Sequence, residues 1–331
     1  MTAIVLLNWN GATDTIACLE SLYATETGFF VIIADNGSQD DSVARITSWL
    51  TANSINTVTL NRVGERTPQI ATPPSNRDCV LLLNNENLGF AAGNNAALEC
   101  IKPYTPDYVM LLNNDTLVTP GFLRTLTSWL DAHSEYVAAT PRIQYNNPRH
   151  LVWNCGGKLY PGHRRYYYAR KSYEEIREHD HIDITFITGC ALIARRELLD
   201  TDNHLLTNRF FFGEEDFDFS IRMSRAHRHM ACVLDSLIYH KVNASVGNHS
   251  HTGRVYIAAV NRAINMRHHY GKAFFYLWFT LFTLYTSLWL LRSGNSLRST
   301  RRLFSRAWRD ARRHDSVTRG MFQWALSQKD F

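Results

Sequence analysis

Three times within its first 115 residues the chain repeats one local device, a short continuous apolar run that stops at a cluster of Asn, Asp, Gly or Ser. Ala3–Leu7 stops at Asn8-Trp9-Asn10-Gly11, Phe29–Ala34 at Asp35-Asn36-Gly37-Ser38, and Tyr108–Leu112 at Asn113-Asn114-Asp115. Short runs without polar alternation, bounded by turn residues, read as strands buried on both faces. Helical patterns fill the intervals over Thr13–Ala24, Asp40–Ala52 and Gly93–Cys100, and further strands are expected at Thr57–Leu60 and Val80–Leu83. The expectation is an α/β fold with a mostly parallel central sheet. Ligands of such sheets bind beyond the carboxyl ends of the strands, where these polar clusters lie. Residues 61–78, Pro-rich and polar, are expected to form a surface loop; a looser Tyr/Arg-rich stretch at 164–173 precedes strand-like pieces at 184–194 and 231–239.

Several chemistries lack their residues. No GxGxxG follows a strand, and GxxxxGK[ST], HExxH and GxSxG are missing, which removes dinucleotide, P-loop, zincin and serine-hydrolase readings. The six Cys show no CxxC pair and read as reduced core thiols. What remains is carboxylate and amide chemistry. Asp115 is either a ligand for a divalent cation on a nucleotide diphosphate or a turn residue, and Asp35 is open in the same way. In Phe210–Asp218 acids alternate with aromatics, so desolvation would suit a general base, while an acidic helix start favoured by the macrodipole accounts for the same residues. His240, after the piece at 231–239, is either a metal ligand or a satisfied polar residue; the pairs His249/His251 and His268/His269 are weaker metal candidates.

The C-terminal part has a different character. Residues 273–291 form an uncharged 19-residue run, which can span a bilayer, lie in its plane or pack in a core. Tyr276, Thr280, Thr283 and Ser287 recur on it at helical spacing, which favours the in-plane arrangement. Residues 292–319 then carry nine Arg against Asp310 and Asp315, a net of +7, leaving −2 for the other 303 residues with their 26 basic and 28 acidic side chains. Leu297, Phe304, Trp308 and Ala311 share one helical face with Arg around the rest, as a basic amphipathic helix on anionic lipid would have. A nucleic-acid arm does not explain the adjacent apolar run. The amino terminus lacks the basic start of a signal peptide, so a cytosolic body is expected.

Taken in order, the motifs resemble family 2 glycosyltransferases. Asn8-Trp9-Asn10-Gly11, Ala34-Asp35-Asn36-Gly37-Ser38 with Asp40-Asp41-Ser42, Glu86-Asn87-Leu88-Gly89-Phe90-Ala91-Ala92-Gly93-Asn94-Asn95 and Tyr108–Asp115 look like the nucleotide-sugar half of that family. Thr188-Gly189-Cys190-Ala191-Leu192-Ile193 with Arg195-Arg196, Phe211–Asp218 and His240 look like its acceptor half, and the nearest branch is the rhamnosyltransferase-like enzymes of bacterial surface-polysaccharide synthesis.

The resemblance implies a GT-A, Rossmann-like fold, an inverting transfer from a dTDP- or UDP-linked sugar to a saccharide acceptor, lipid-linked in that branch, and Mg²⁺ or Mn²⁺ as cofactor. It assigns the nucleotide sugar to Asn8, Asp35, Gly89, Gly93, Asn94 and Asn114, the metal to Asp115 and His240, and the base to Asp216 with Glu215 beside it. The resemblance covers roughly residues 3–270; with the change of composition toward the C-terminus, the expected division is a catalytic region at 1–250, with halves at 1–118 and 119–250, and a helical membrane-associating region at 251–331. Residues 273–313 would meet an anionic membrane at the cytoplasmic face of the inner membrane. Two other readings stay open: a non-catalytic transferase-like scaffold, motivated by the lone carboxylate of Asn113-Asn114-Asp115, and a sugar nucleotidyltransferase.

Overall fold

The computed structural model describes residues 1–176, 179–242 and 251–328. In chain order these form β1 (Thr2–Asn8), α1 (Ala12–Thr25), β2 (Phe29–Asp35), α2 (Ser42–Ala52), β3 (Thr57–Asn61), β4 (Cys79–Leu83), α3 (Phe90–Cys100), β5 (Tyr108–Asn113), β6 (Thr116–Val118), α4 (Phe122–Ala132), β7 (Tyr136–Tyr145), β8 (Val152–Asn154), β9 (Gly157–Tyr160) and β10 (His163–Tyr166). There follow β11 (His181–Ile184), β12 (Ala191–Arg195), α5 (Glu215–Arg225), β13 (His229–His240), α6 (His251–His269), α7 (Lys272–Arg292), α8 (Leu297–Arg313) and α9 (Arg319–Ser327).

The main sheet runs β11-β13-β7-β12-β5-β1-β2-β4-β3, with β6 on β13 and β8 on β7. From β5 to β3 every pairing is parallel, and β13 lies parallel to β7, while β12 enters antiparallel between β5 and β7. The unbroken apolar runs follow from burial on both faces. Ala3, Val5, Phe30, Ile32 and Ala34 pack on the α3 side, whereas Ile4, Leu6, Phe29, Val31 and Ile33 pack on the side of α1, α2 and α4. That alternation is the period of two that an extended chain imposes. All six cysteines are buried and free, as expected of core thiols.

Some boundaries differ from the sequence reading for local reasons. Helix α3 begins at Phe90, earlier than Gly93, because Gly89 turns the chain with φ +87°. The piece expected at 184–194 is split into β11 and β12, since Thr185 and Phe186 leave the main sheet to bond Gly157. The loop at 61–78 is not wholly superficial: Thr67 and Ile70 are buried, and the Ile70 N–H donates to the Cys100 carbonyl at 3.0 Å.

The C-terminal helices build a separate apolar core from Tyr256, Val260, Phe275, Phe279, Leu303, Phe304, Ala307 and Ala311. Here the sequence reading of α8 needs correcting. Its apolar face is turned inward: Phe304 and Ala311 are buried, Trp308 stacks on Phe279 at 4.4 Å and donates to Thr283 at 3.2 Å, and Leu297, assigned to that face, is 70% exposed at the helix start. The arginines of α8 remain outside. Helix α7 buries Phe275, Phe279 and Leu290 and exposes Leu277, Leu281, Leu284, Tyr285 and Leu288. Its length and composition would allow it to cross a membrane.

These helices are also tied to the rest of the chain. The Phe211 N–H donates to Val317 O at 3.0 Å, Phe322 lies against Phe211 and Phe212 at 5.2 and 5.9 Å, and Arg319 pairs with Glu86 at 3.3 Å. The inward and outward sides of α7 should therefore respond differently to mutation. Phe279→Ala is expected to cost about 3–5 kcal/mol and Leu284→Ser to stay within about 0.5 kcal/mol, read as shifts of the urea midpoint.

Candidate active site

The carboxyl ends of β1, β2 and β5 meet at mid-sheet, because the register sets Asn8 beside Asp35 and Leu7 beside Asn113. The strand order also reverses here: the chain builds from β1 through β2 toward β3, then returns to the other side of β1 with β5. Open α/β sheets leave a crevice at such a point. The Asn8 amide donates to Asp35 Oδ1 at 2.7 Å and Ser38 Oγ at 3.1 Å, and Asp35 also accepts from the Ser38 N–H at 2.9 Å and its hydroxyl at 2.6 Å. Asp35 is thus buried with both oxygens occupied, and it shapes the turn. Asn114 donates to Thr15 Oγ1 at 2.9 Å, and Thr15 donates on to Asn8 Oδ1 at 2.8 Å, so all three strand ends are joined through side chains.

A second amide cluster lies alongside. Asn36 donates to Asn87 Oδ1 and to the Gly89 carbonyl, each at 3.0 Å, and accepts from the Leu88 N–H at 3.1 Å. At Gly89 a Cβ would stand 2.1 Å from the Phe211 carbonyl oxygen, the atom to which the Phe90 N–H donates at 2.9 Å. Only glycine fits both the positive φ and this approach. Gly93 and Asn94 are placed otherwise than expected of residues that meet a nucleotide. A Cβ on Gly93 would lie 2.6 Å from Leu7 Cδ1, and the buried Asn94 donates to the Phe90 carbonyl at 2.8 Å within its own helix. Close packing of α3 on β1 accounts for Gly93, and Asn94 is bound within α3.

Asp115 follows β5, and the pairing of β13 with β6 sets His240 opposite Thr116. His240 Nε2 comes within 3.1 Å of Asp115 Oδ1, and both residues are buried. The approach lacks hydrogen-bond direction and leaves Asp115 Oδ1 without a hydrogen-bond partner among the described residues; the other ring nitrogen of His240, Nδ1, has none either. Buried polar atoms of this kind require an explanation. A carboxylate oxygen and an imidazole nitrogen facing each other at this separation fit a divalent cation, because ligand distances of about 2.1 Å set neighbouring ligands about 3 Å apart. Trp153 holds the imidazole edge-on at 4.6 Å. Among the described residues no group of three or more His, Cys, Asp or Glu forms a metal site, so an ion here would draw its other ligands from substrate or water.

The acidic start of α5 reaches the same end of β5. The Asn113 N–H donates to the Cys190 carbonyl at 2.8 Å, and a Cβ on the adjoining Gly189 would stand 4.0 Å from Asp216 Cβ. The four carboxylates of this segment have different fates. Glu214, with φ +115°, is gripped by Arg262 through two contacts of 2.5 Å. Asp218 is buried among Arg209 at 3.2 Å, Arg222 at 2.9 Å and His269 at 2.7 Å. Burial works to raise its pKa, but His269 and Arg222 outweigh it and hold the carboxyl below the usual range. Glu215 is buried with Oε2 unpartnered among the described residues; burial, aided by the Asp216 charge, pushes its carboxyl up to about 8. Asp216 is half-buried and forms no ion pair within 4.0 Å among the described residues. Burial raises its pKa while the Arg164 charge opposes the rise.

Sequence reasoning missed Arg164, Arg262 and His269 as parts of this site. Arg164 had a signal in the Tyr/Arg-rich stretch at 164–173, and His269 had been weighed only as half of a metal pair. Arg262 had none, since its role depends on how α6 docks. His249 lies outside the described residues.

Residues 61–262, more than half of the chain, match the family model described as Glycosyltransferase like family 2. Among curated proteins none matches by sequence. Among solved structures, the mannosyltransferase PcManGT from Pyrobaculum calidifontis in complex with GDP-Man and Mn²⁺ aligns at TM-score 0.55 and 13% identity, over 98% of this chain and 82% of that one. TarS 1-349 of S. aureus aligns at 0.53 and 13%, over 98% and 81%, and GalNAc-T7 with UDP, GalNAc and Mn²⁺ at 0.54 and 11%, over 80% and 47%. At these identities the likeness is one of fold, the GT-A arrangement with a helical C-terminal extension.

The raised Glu215 carboxyl makes a stability test possible. Its folded pKa of about 8 lies above the ordinary 4.5, so between those values the native state holds a proton that the unfolded chain has lost. Stability therefore falls as pH rises through that window. Glu215→Gln is expected to leave the melting temperature unchanged near the lower limit and to raise it by several degrees near the upper one, measured by thermal melts across the window.

Proposed function

The chain belongs to glycosyltransferase-like family 2, and we propose that it moves a sugar from a nucleotide-diphosphate donor to a saccharide hydroxyl in one displacement with inversion. The observation that carries this reading is the fate of the acids at the start of α5. Glu214 and Asp218 are held by cations and Glu215 is enclosed, while Asp216 is half-buried and without an ion pair among the described residues, beside the end of β5. Asp216 takes the proton of the acceptor hydroxyl as its oxygen attacks the anomeric carbon and the bond to the donor diphosphate breaks. A single base on the attacking side, without a covalent nucleophile, inverts the centre.

The donor nucleotide lies over the ends of β1, β2 and β5, against Asn8, Asn114 and the backbone at Gly89. Asp35 fixes the pocket through Ser38 and Asn8. Asp115 and His240 would hold Mg²⁺ or Mn²⁺, which would supply countercharge to the donor diphosphate when bound. Gly93 and Asn94 act in packing.

Asp216→Asn is expected to lower turnover by about 10²–10⁴-fold and to keep the thermal stabilisation given by the matching dTDP- or UDP-sugar with Mn²⁺. Asp115→Asn and His240→Ala are expected to lose the Mn²⁺-dependent part of that stabilisation. Retained turnover in Asp216→Asn removes the base assignment.

The acceptor reading extends to the membrane. The exposed Leu277, Leu281, Leu284 and Leu288 of α7 form an apolar face, and Arg298, Arg301, Arg302 and Arg309 are exposed on the neighbouring α8. An anionic bilayer satisfies both. Lying in the membrane plane at the cytoplasmic face, α7 would hold the catalytic region near a lipid-linked acceptor, in keeping with a rhamnosyltransferase-like role in surface-polysaccharide synthesis. The full chain should sediment with vesicles containing phosphatidylglycerol and less with neutral phosphatidylcholine vesicles. Leu281→Ser with Leu284→Ser should weaken binding severalfold, and equal sedimentation of this variant and the parent chain removes the membrane reading.

A further inference from the structure

We propose that Arg164 is a positioning residue for Asp216, keeping that partly buried carboxylate ionised without forming an ion pair on the oxygens that the acceptor must reach. The inference rests on the reading of Asp216 as the base.

The first ground is where Arg164 is held. It lies on β10, in the β9–β10 hairpin, which is fixed from several sides. Gly157 and Phe186 exchange backbone hydrogen bonds of 3.0 and 2.9 Å, the Leu159 N–H donates to Thr185 Oγ1 at 2.8 Å, and Arg262 donates to the Gly162 carbonyl at 2.7 Å. Gly162 is pressed against Trp278 of α7, where a Cβ would stand 2.1 Å from the indole nitrogen. The Arg164 guanidinium then lies 4.8 Å from the Phe186 ring, 5.4 Å from Tyr166 and 5.8 Å from Phe217, with Nε donating to the Tyr166 hydroxyl at 2.9 Å. The buried Phe186 and Phe217 rings shield part of the guanidinium, so its charge is less screened than at an open surface. Phe217 directly follows Asp216.

The second ground is the charge around Asp216. The groups that act on it are Arg164 from β10, Arg262 from α6, and Glu214 and Glu215 beside it on its own segment. Arg262 is already neutralised by Glu214, to which it makes two contacts of 2.5 Å. Arg164 has no carboxylate within 4.0 Å among the described residues, so its charge acts on Asp216 across a gap and does not cap the oxygens. Asp218 shows the contrasting arrangement: its cations touch it and occupy it.

The test uses the full chain with carbon-13 at the aspartate side-chain carboxyl. The Asp216 resonance is identified by its loss in Asp216→Asn and titrated through the carboxyl range. Arg164→Gln is expected to raise its midpoint by about one pH unit, Arg164→Met to do the same while keeping the stem against the rings, and Arg164→Lys to fall between these and the parent. The acid limb of the turnover profile should move with the midpoint. An unmoved midpoint in whichever of Arg164→Gln and Arg164→Met folds overturns the inference, as does an equal rise in Arg165→Gln, whose side chain is exposed on the same hairpin. These outcomes are separate from the base assignment, which falls if Asp216→Asn retains turnover whatever the titration shows.

Discussion

The site depends on one buried carboxylate. Asp218 accepts from Arg209 in the segment before α5, from Arg222 one turn further along α5, and from His269 at the end of α6. The segment before α5 and the distant end of α6 are thereby fixed to the first turn of one helix, and the orientation of that turn decides which way Asp216 faces. Removing Asp218 would leave the buried His269 and the partly buried Arg209 without their counter-ion, a loss of about 3–5 kcal/mol in comparable cases. The neighbouring acids can then serve different ends: Glu214 ties α5 to Arg262 of α6, and Glu215 stays enclosed. One residue, Phe217, separates Asp218, which is held by three cationic side chains, from Asp216, which forms no ion pair within 4.0 Å among the described residues.

Asp218 and Glu214 also explain why the C-terminal helices cannot be treated as an appendage. Arg262, Asn261 and His269 of α6 bond the 212–218 segment, and Val317 and Phe322 brace Phe211 and Phe212 from behind. The family model ends at residue 262, within α6, so its limit falls between Arg262 and His269, both of which hold acids of α5. A boundary drawn at 250/251 by composition separates two parts that share one polar network.

What was legible in the sequence is what local rules decide. Strands buried on both faces show as continuous apolar runs, and their ends show as Asn/Asp turns, so the order from β1 to β5 and the crevice above it could be read directly. The approach of His240 to Asp115 could not be derived from spacing, since it depends on β13 pairing with β6 from 120 residues away; the family resemblance supplied it. Amphipathicity marked one face of α8 as covered and pointed to lipid, whereas α6 and α7 cover it. Arg164 was hidden for a related reason: in a run of Tyr and Arg, only the register of the β9–β10 hairpin selects the arginine that meets Phe186 and Phe217.

The buried cysteines have a practical consequence. Burial pushes the thiols of Cys18, Cys79 and Cys100 up to about 12 and raises Cys190 and Cys232 further, so thiolate is scarce and reagents find no access while the chain is folded. With all six cysteines buried, the folded protein is expected to react slowly with maleimides. A single cysteine introduced on the outer face of α7 would carry the only fluorophore, and its emission would report the polarity around that helix without any native thiol having to be removed.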